Sequence, residues 1–118
     1  MKDFRKILVE RKNGLDIRMF EGIKIGDYIL SIQASDFHYC EPRKTLNDLN
    51  LYKAWEIGIF NSNNEWVNIS KFKYRRVFSG WLYYEYFINK YDGMVAGRIE
   101  TVVVQSLLDF IDNNIKEN

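Results

Sequence analysis

Apolar and polar residues alternate along several short segments of this chain, and this period of two restricts the fold more than any other feature. In the segment 28–34, Leu30, Ile32 and Ala34 share one face of an extended chain, whereas Ser31 and Gln33 share the other. Such alternation predicts a half-buried strand of an antiparallel sheet. The strand should end before the chain's one proline, because proline cannot donate to a sheet ladder.

Turn-forming residues separate the alternating segments and predict hairpins. Asn13-Gly14 lies between the alternating apolar positions Ile7, Val9, Leu15, Ile17 and Met19. Trp55, Ile57 and Ile59 alternate in the same way and lead into residues 61–64, all Asn or Ser. A second hairpin is therefore expected between this strand and residues 66–69.

The end of the chain has a helical pattern. Apolar residues at 99, 103, 107, 110 and 111 fall on one face and predict a helix from Gly97 to Ile115, although three successive valines favour a strand slightly. Residues 43–52 are predicted to form a loop with one helical turn, and part of the segment 71–91 a strand. The predicted fold is α+β, an antiparallel β-sheet built of hairpins with a C-terminal α-helix packed on it.

Composition limits the range of functions. A chain of 118 residues with 47% hydrophobic content fits one domain, residues 1–118. Seventeen basic and 16 acidic residues give a net charge of +1, which disfavours binding to a long nucleic acid. One cysteine, no signal-peptide pattern and no long apolar run predict a cytoplasmic protein that does not enter a membrane. The 16% aromatic content favours a homo-oligomer or a flat ligand.

The only histidine, cysteine and proline lie within five residues, in the segment Ser35-Asp36-Phe37-His38-Tyr39-Cys40-Glu41-Pro42-Arg43-Lys44. A catalytic His38–Cys40 pair would need an orienting group and an oxyanion hole, and a zinc site would need more ligands. We therefore expect no catalytic residue, no metal and no cofactor. The alternative is a small packed Cys40 with a hydrogen-bonded His38, whose ring could also stack on a base.

Three segments are candidate anion or base sites, each with a plainer alternative. Arg43 follows a proline-stiffened turn and could hold a phosphate, or could be a solvated loop charge. Arg98 and Thr101 lie where the last helix is predicted to begin and could bind phosphate, unless Gly97 only caps it. The cations and rings of segments 71–78 and 80–87 could bind a nucleotide or form an amphipathic strand; these candidates are Phe72, Arg75, Arg76 and Trp81.

Three longer stretches carry a family resemblance. They are YILSIQASDFHYCEPRKTL, the following YKAWEIGIF, and GMVAGRIETVVVQSLLDFI. Together they resemble the first family of Thoeris anti-defence proteins, a group of small phage and prophage proteins. The resemblance covers residues 28–60 and 93–112.

This resemblance implies a non-enzymatic sponge that acts in the cytoplasm of the bacterial host. Members of the family form oligomers that bind a cyclic ADP-ribose signal made by a TIR-domain defence protein, and some also bind cyclic oligonucleotides. The signal is removed without being cleaved. The alternative hypothesis is a phage inhibitor that acts by protein–protein binding, such as an anti-CRISPR protein. In such an inhibitor the aromatic residues would contact the partner protein.

Overall fold

The computed structural model describes residues 1–11 and 17–115, and it has the predicted α+β architecture. A small antiparallel sheet pairs β1 (Glu10–Arg11) with β2 (Met19–Phe20). The larger sheet has the order β3-β4-β5-β6, and its strands are β3 (Ile23–Ile25), β4 (Tyr28–Gln33), β5 (Ala54–Asn61) and β6 (Val95–Glu100). The helices are α1 (Phe72–Phe78), α2 (Tyr84–Ile88) and α3 (Thr101–Asn114), with 3₁₀ turns at Phe4–Lys6 and Leu49–Leu51.

The alternating segments form the centre of the larger sheet. β4 pairs antiparallel with β5 over its whole length, which confirms both predicted strands. β3 and β4 are joined by the two-residue turn Gly26-Asp27, where Gly26 has a φ of +57° that suits glycine. The helical turn predicted within residues 43–52 is also present, at Leu49–Leu51.

The two predicted hairpins have different outcomes. β1 and β2 pair antiparallel as expected, while the proposed turn at Asn13-Gly14 lies outside the described residues. After β5 the chain reverses at its Asn-rich turn, but only Trp66 makes an isolated bridge, to Phe60. The prediction of a second strand at 66–69 is therefore only partly right.

The prediction of a strand within residues 71–91 is wrong, because this segment forms α1 and α2. The buried side chains recur every three residues, which is closer to a helical period than to the period of two that a strand requires. These residues are Phe78, Trp81, Tyr84 and Phe87. Packing of the aromatic rings thus decides the structure of this basic segment.

Helix α3 packs on one face of the larger sheet, as predicted, and buries Val103, Leu107 and Ile111 against it. It begins at Thr101 rather than at Gly97, because residues 95–100 pair with β5 instead. The placement of Arg98 in the first turn of the helix is therefore wrong. Within the described ranges, no helix is long and apolar enough to cross a bilayer.

The opposite face of the larger sheet is partly covered as well. Gln33 was expected on a solvated face, yet it is only 3% exposed. Its side-chain amide accepts from the backbone N–H of Phe20 and donates to the carbonyl of the same residue. These hydrogen bonds hold the small sheet beside β4. The remainder of this face borders a cavity, which is described below.

Candidate functional site

A cavity of about 370 Å³ opens on the face of the larger sheet away from α3, and we call it the sheet cavity. Strands β4 and β5 supply its floor, the small sheet borders it, and the chain after β5 supplies a wall. The residues that line it are Arg11, Met19, Gly22, Ile29, Ser31, Gln33, His38, Glu56, Phe60, Asn64, Trp66 and Val95. Six of these twelve residues have polar or charged side chains, so the cavity combines apolar walls with several hydrogen-bonding groups.

The aromatic wall of the sheet cavity is formed by Phe60 and Trp66. Their ring centroids are 4.2 Å apart, with a tilt of 38° between the planes. Trp66 lies against the backbone of β5, since a Cβ added at Gly58 would be 3.0 Å from its Cζ3 atom. Glycine at this position therefore lets the indole ring approach the sheet, while the residue as a whole stays 42% exposed to solvent.

The loop from Ser35 to Arg43 forms one rim of the sheet cavity, and we call it the rim loop. The Ser35 hydroxyl lies 2.6 Å from Nδ1 of His38, and Glu56 on β5 accepts a hydrogen bond from the backbone N–H of Tyr39 at 2.9 Å. Burial lowers the pKa of His38 below its ordinary value, with the nearby Glu56 carboxylate opposing the shift. The rim thus presents a neutral imidazole and a carboxylate to the cavity.

Cys40 belongs to the packing of this loop. It is 2% exposed, and its Sγ lies 3.3 Å from the carbonyl oxygen of Ser35 and 3.4 Å from that of Pro42, either of which can accept the thiol proton. Burial raises the pKa of the thiol, so the reactive thiolate form is disfavoured. Across residues 1–11 and 17–115, no group of three or more His, Cys, Asp or Glu side chains is arranged to hold a metal ion.

A second cavity, of about 320 Å³, lies beside the first, and we call it the basic cavity. It is lined by Tyr39, Lys90, Asp92, Val95, Gly97 and Arg98. Val95 lines both cavities, and the neighbouring residues His38 and Tyr39 line one cavity each. The two cavities are therefore neighbours that share one wall residue.

The two cations of the basic cavity are held through the backbone. Arg98 donates its N–H to the carbonyl of Tyr39 at 2.8 Å and has a φ of +53°, which is unusual for a residue with a side chain. The Lys90 ammonium donates to the Arg98 carbonyl and lies over the ring of Tyr86. The one acidic residue of the lining, Asp92, accepts from the N–H groups of Met94 and Val95, which lower its pKa.

Arg43 lies beside this pair of cavities rather than in either lining. Its Nε donates to the carbonyl of Asp36, and its guanidinium lies 5.1 Å from the centroid of the Tyr39 ring. The residue is exposed to solvent. Arg43 is thus positioned to add positive charge near the basic cavity.

Other candidates from the sequence lie elsewhere. The Thr101 hydroxyl donates to the carbonyl of Tyr52 and accepts from the Trp55 indole, so it joins α3 to β5. Trp81 is buried and donates to Ser106, which leaves no open ring face. The exposed residues of α1, namely Phe72, Arg75 and Arg76, line neither cavity.

Sequence reasoning missed Glu56, Trp66 and Lys90. Glu56 alternates with the buried residues of β5, so its position on the opposite face from the core could have been found from the period. Trp66 and Lys90 reach the site only through the turn after β5 and through α2, and no local pattern indicates this. Comparisons with protein-family models, curated proteins and solved structures found no match to the chain.

Proposed function

We propose that this protein is a phage anti-defence sponge that binds a cyclic ADP-ribose-type signal nucleotide and holds it without cleaving it. The observation that carries the proposal is that the sheet cavity and the basic cavity are neighbours, with Val95 in the lining of both. One offers aromatic surface and hydrogen-bonding groups, and the other offers Lys90 and Arg98. A nucleotide has the matching parts, a flat base and a pyrophosphate.

The resemblance noted in the sequence supports the same ligand. The two matched ranges, 28–60 and 93–112, supply β4, the rim loop, β5, and β6 with α3. Most of the lining of both cavities comes from these ranges. The matched ranges thus supply much of the proposed site, whereas Trp66 and Lys90 come from outside them.

In the proposed complex the base lies against Trp66, since stacking on an aromatic ring contributes about 1–3 kcal/mol per base. The phosphates lie near Arg98 and Lys90, where charge-assisted hydrogen bonds contribute about 1.5–3 kcal/mol each. The chain would act in the cytoplasm of the infected bacterium. We also propose that it self-associates, because Phe37, Tyr39 and Trp66 leave aromatic surface exposed around the cavities.

A second candidate function is protein–protein inhibition, as by an anti-CRISPR protein. The observation that favours it is a separate patch at α1, where Phe72 is 87% exposed and is followed by Lys73, Arg75 and Arg76. An exposed ring among cations suits an acidic partner surface. This patch lines neither cavity, so the two functions can be tested with different variants.

The test is to incubate the purified protein with the products of a TIR-domain NAD-cleaving enzyme, remove free nucleotide by filtration and heat the retained protein. Sponge activity predicts that an intact signal nucleotide is released and activates the defence effector again. Release of an altered nucleotide would instead indicate an enzyme. Absence of any retained nucleotide would contradict the proposal and favour protein–protein inhibition.

A further inference from the structure

We assign the tautomer of His38 from the hydrogen bonds around Ser35. Ser35 is fully buried, and its hydroxyl oxygen already accepts from the backbone N–H of Phe37 at 3.0 Å. The hydroxyl has one proton, and Nδ1 of His38, at 2.6 Å, is the acceptor that the structure offers it. Nδ1 then carries no proton, so the proton of the neutral ring lies on Nε2.

His38 therefore brings a hydrogen-bond donor to the sheet cavity. The residue is only 7% exposed and lines this cavity. Within the described part of the chain, Nε2 is not among the fully buried polar atoms that lack a partner, so it is open to a ligand atom that accepts from it. The lowered pKa of His38, caused mainly by burial, is consistent with a neutral ring.

Glu56 brings an acceptor to the same rim. Its Oε2 accepts from the Tyr39 N–H at 2.9 Å, and this bond fixes the orientation of the carboxylate. The other oxygen, Oε1, is left to accept from a ligand in the cavity that Glu56 lines. The rim loop thus places one acceptor and one donor at one edge of the sheet cavity.

We propose that Glu56 and His38 read the edge of an adenine base, with Glu56 accepting from the exocyclic amino group and His38 donating to the adjacent ring nitrogen. This inference rests on the proposed function, since it concerns the base of the nucleotide bound there. A 6-oxo base in the same pose would place a carbonyl oxygen against the Glu56 carboxylate. Sites that pair a buried polar group with a ligand discriminate strongly against an analogue that cannot form the bond.

The experiment compares two signals made by the same TIR-domain enzyme, one from NAD and one from nicotinamide hypoxanthine dinucleotide, which has oxygen in place of the amino group. The parent protein should bind the amino form roughly 10- to 100-fold more tightly, the range expected for one charge-assisted hydrogen bond. Glu56→Gln can keep the bond to Tyr39 through its amide oxygen while it presents an NH₂ group to the ligand. This variant should reduce or reverse the preference for the amino form of the signal.

Glu41→Gln is the matched control, because the Glu41 side chain is exposed and lines neither cavity, and it should keep the parent's preference. Equal affinity of the parent for both signals would overturn base reading by Glu56 and His38 while leaving the sponge intact. An unchanged preference in folded Glu56→Gln, checked by its melting curve, would also overturn it. If the parent binds neither signal, the proposed function fails together with this inference.

Discussion

Removal of the Trp66 ring tests whether the sheet cavity holds the base. Trp66→Ala deletes the exposed wall that stands beside Phe60 and over Gly58. Loss of one stacking partner should cost about 1–3 kcal/mol of binding free energy, or roughly 5- to 150-fold in the dissociation constant. Trp66→Phe should recover a large part of this loss, because it keeps an aromatic face.

The same substitution also has a predictable effect on folding. Replacing a fully buried aromatic residue by alanine costs about 3–5 kcal/mol. Trp66 is 42% exposed, so we expect a loss of roughly 2–3 kcal/mol in the free energy of unfolding. Urea denaturation measures this loss, and calorimetric titration with the cyclic ADP-ribose signal at a temperature where the variant is folded measures binding.

Phe72→Ala is the matched control, since it removes an even more exposed ring that lines neither cavity. Binding should be unchanged in this variant. If Phe72→Ala weakens nucleotide binding and folded Trp66→Ala does not, the base lies at α1 and the sheet cavity is not the site. If neither variant changes the affinity, stacking on an exposed ring is not how the ligand is held.

Four further predictions follow from the same geometry. Arg98→Ala should raise the dissociation constant of the nucleotide by roughly one to two decades, and Arg98→Lys should raise it by less. Arg76→Ala, measured in the same titration, is the control and should bind as the parent does. An equal effect of both alanine variants would contradict a phosphate site at Arg98. Cys40→Ser should retain nucleotide capture, because the thiol only bonds to loop carbonyls, and loss of capture in a folded variant would revive an enzymatic role. The free energy of unfolding should fall as the pH drops through the ordinary range of histidine, because the pKa of His38 is lowered in the folded chain and the unfolded chain therefore takes up the proton at higher pH. For this one group the slope cannot exceed about 1.4 kcal/mol per pH unit. Urea denaturation at several pH values measures the slope, which should be smaller for His38→Gln. Light scattering should detect at least a dimer, whereas a monomer at tens of micromolar, roughly the concentration that tests a weak interface, would argue against self-association.

Much of the fold could be predicted because its decisive signals are local. The alternation in β4 and β5 and the helical spacing of Val103, Leu107 and Ile111 each require only neighbouring residues. The two short helices were missed because cations and rings alternate over residues 71–75, as in a strand, whereas the buried rings recur every three residues only from Phe78 onward. The start of α3 was missed because Ile99 continues the apolar pattern of the helix while it pairs with Trp55 in the sheet.

The candidate site was harder to predict because its parts come from distant points of the chain. His38 and Arg43 were singled out from composition and chemistry, and they do lie in or beside the cavities. The prediction of a phosphate site at Arg98 assumed that the residue begins the last helix. Arg98 lies in β6 instead, and it still lines the basic cavity. Trp66 joins the site only because glycine at position 58 lets its ring rest on β5, which is a tertiary contact.

Tyr39 links the rim loop to residues of both cavities through its backbone. Its N–H binds Glu56, which fixes one polar group of the sheet cavity, and its carbonyl accepts from Arg98, which fixes the backbone of the basic cavity. Gly97 allows this approach, since an added Cβ would lie 2.9 Å from that of Tyr39. Polar groups held in place before binding lose little conformational entropy when the ligand arrives. The buried Ser35–His38 pair and the packed Cys40 add to this order, because internal contacts of the rim loop hold its backbone in one position between the two cavities.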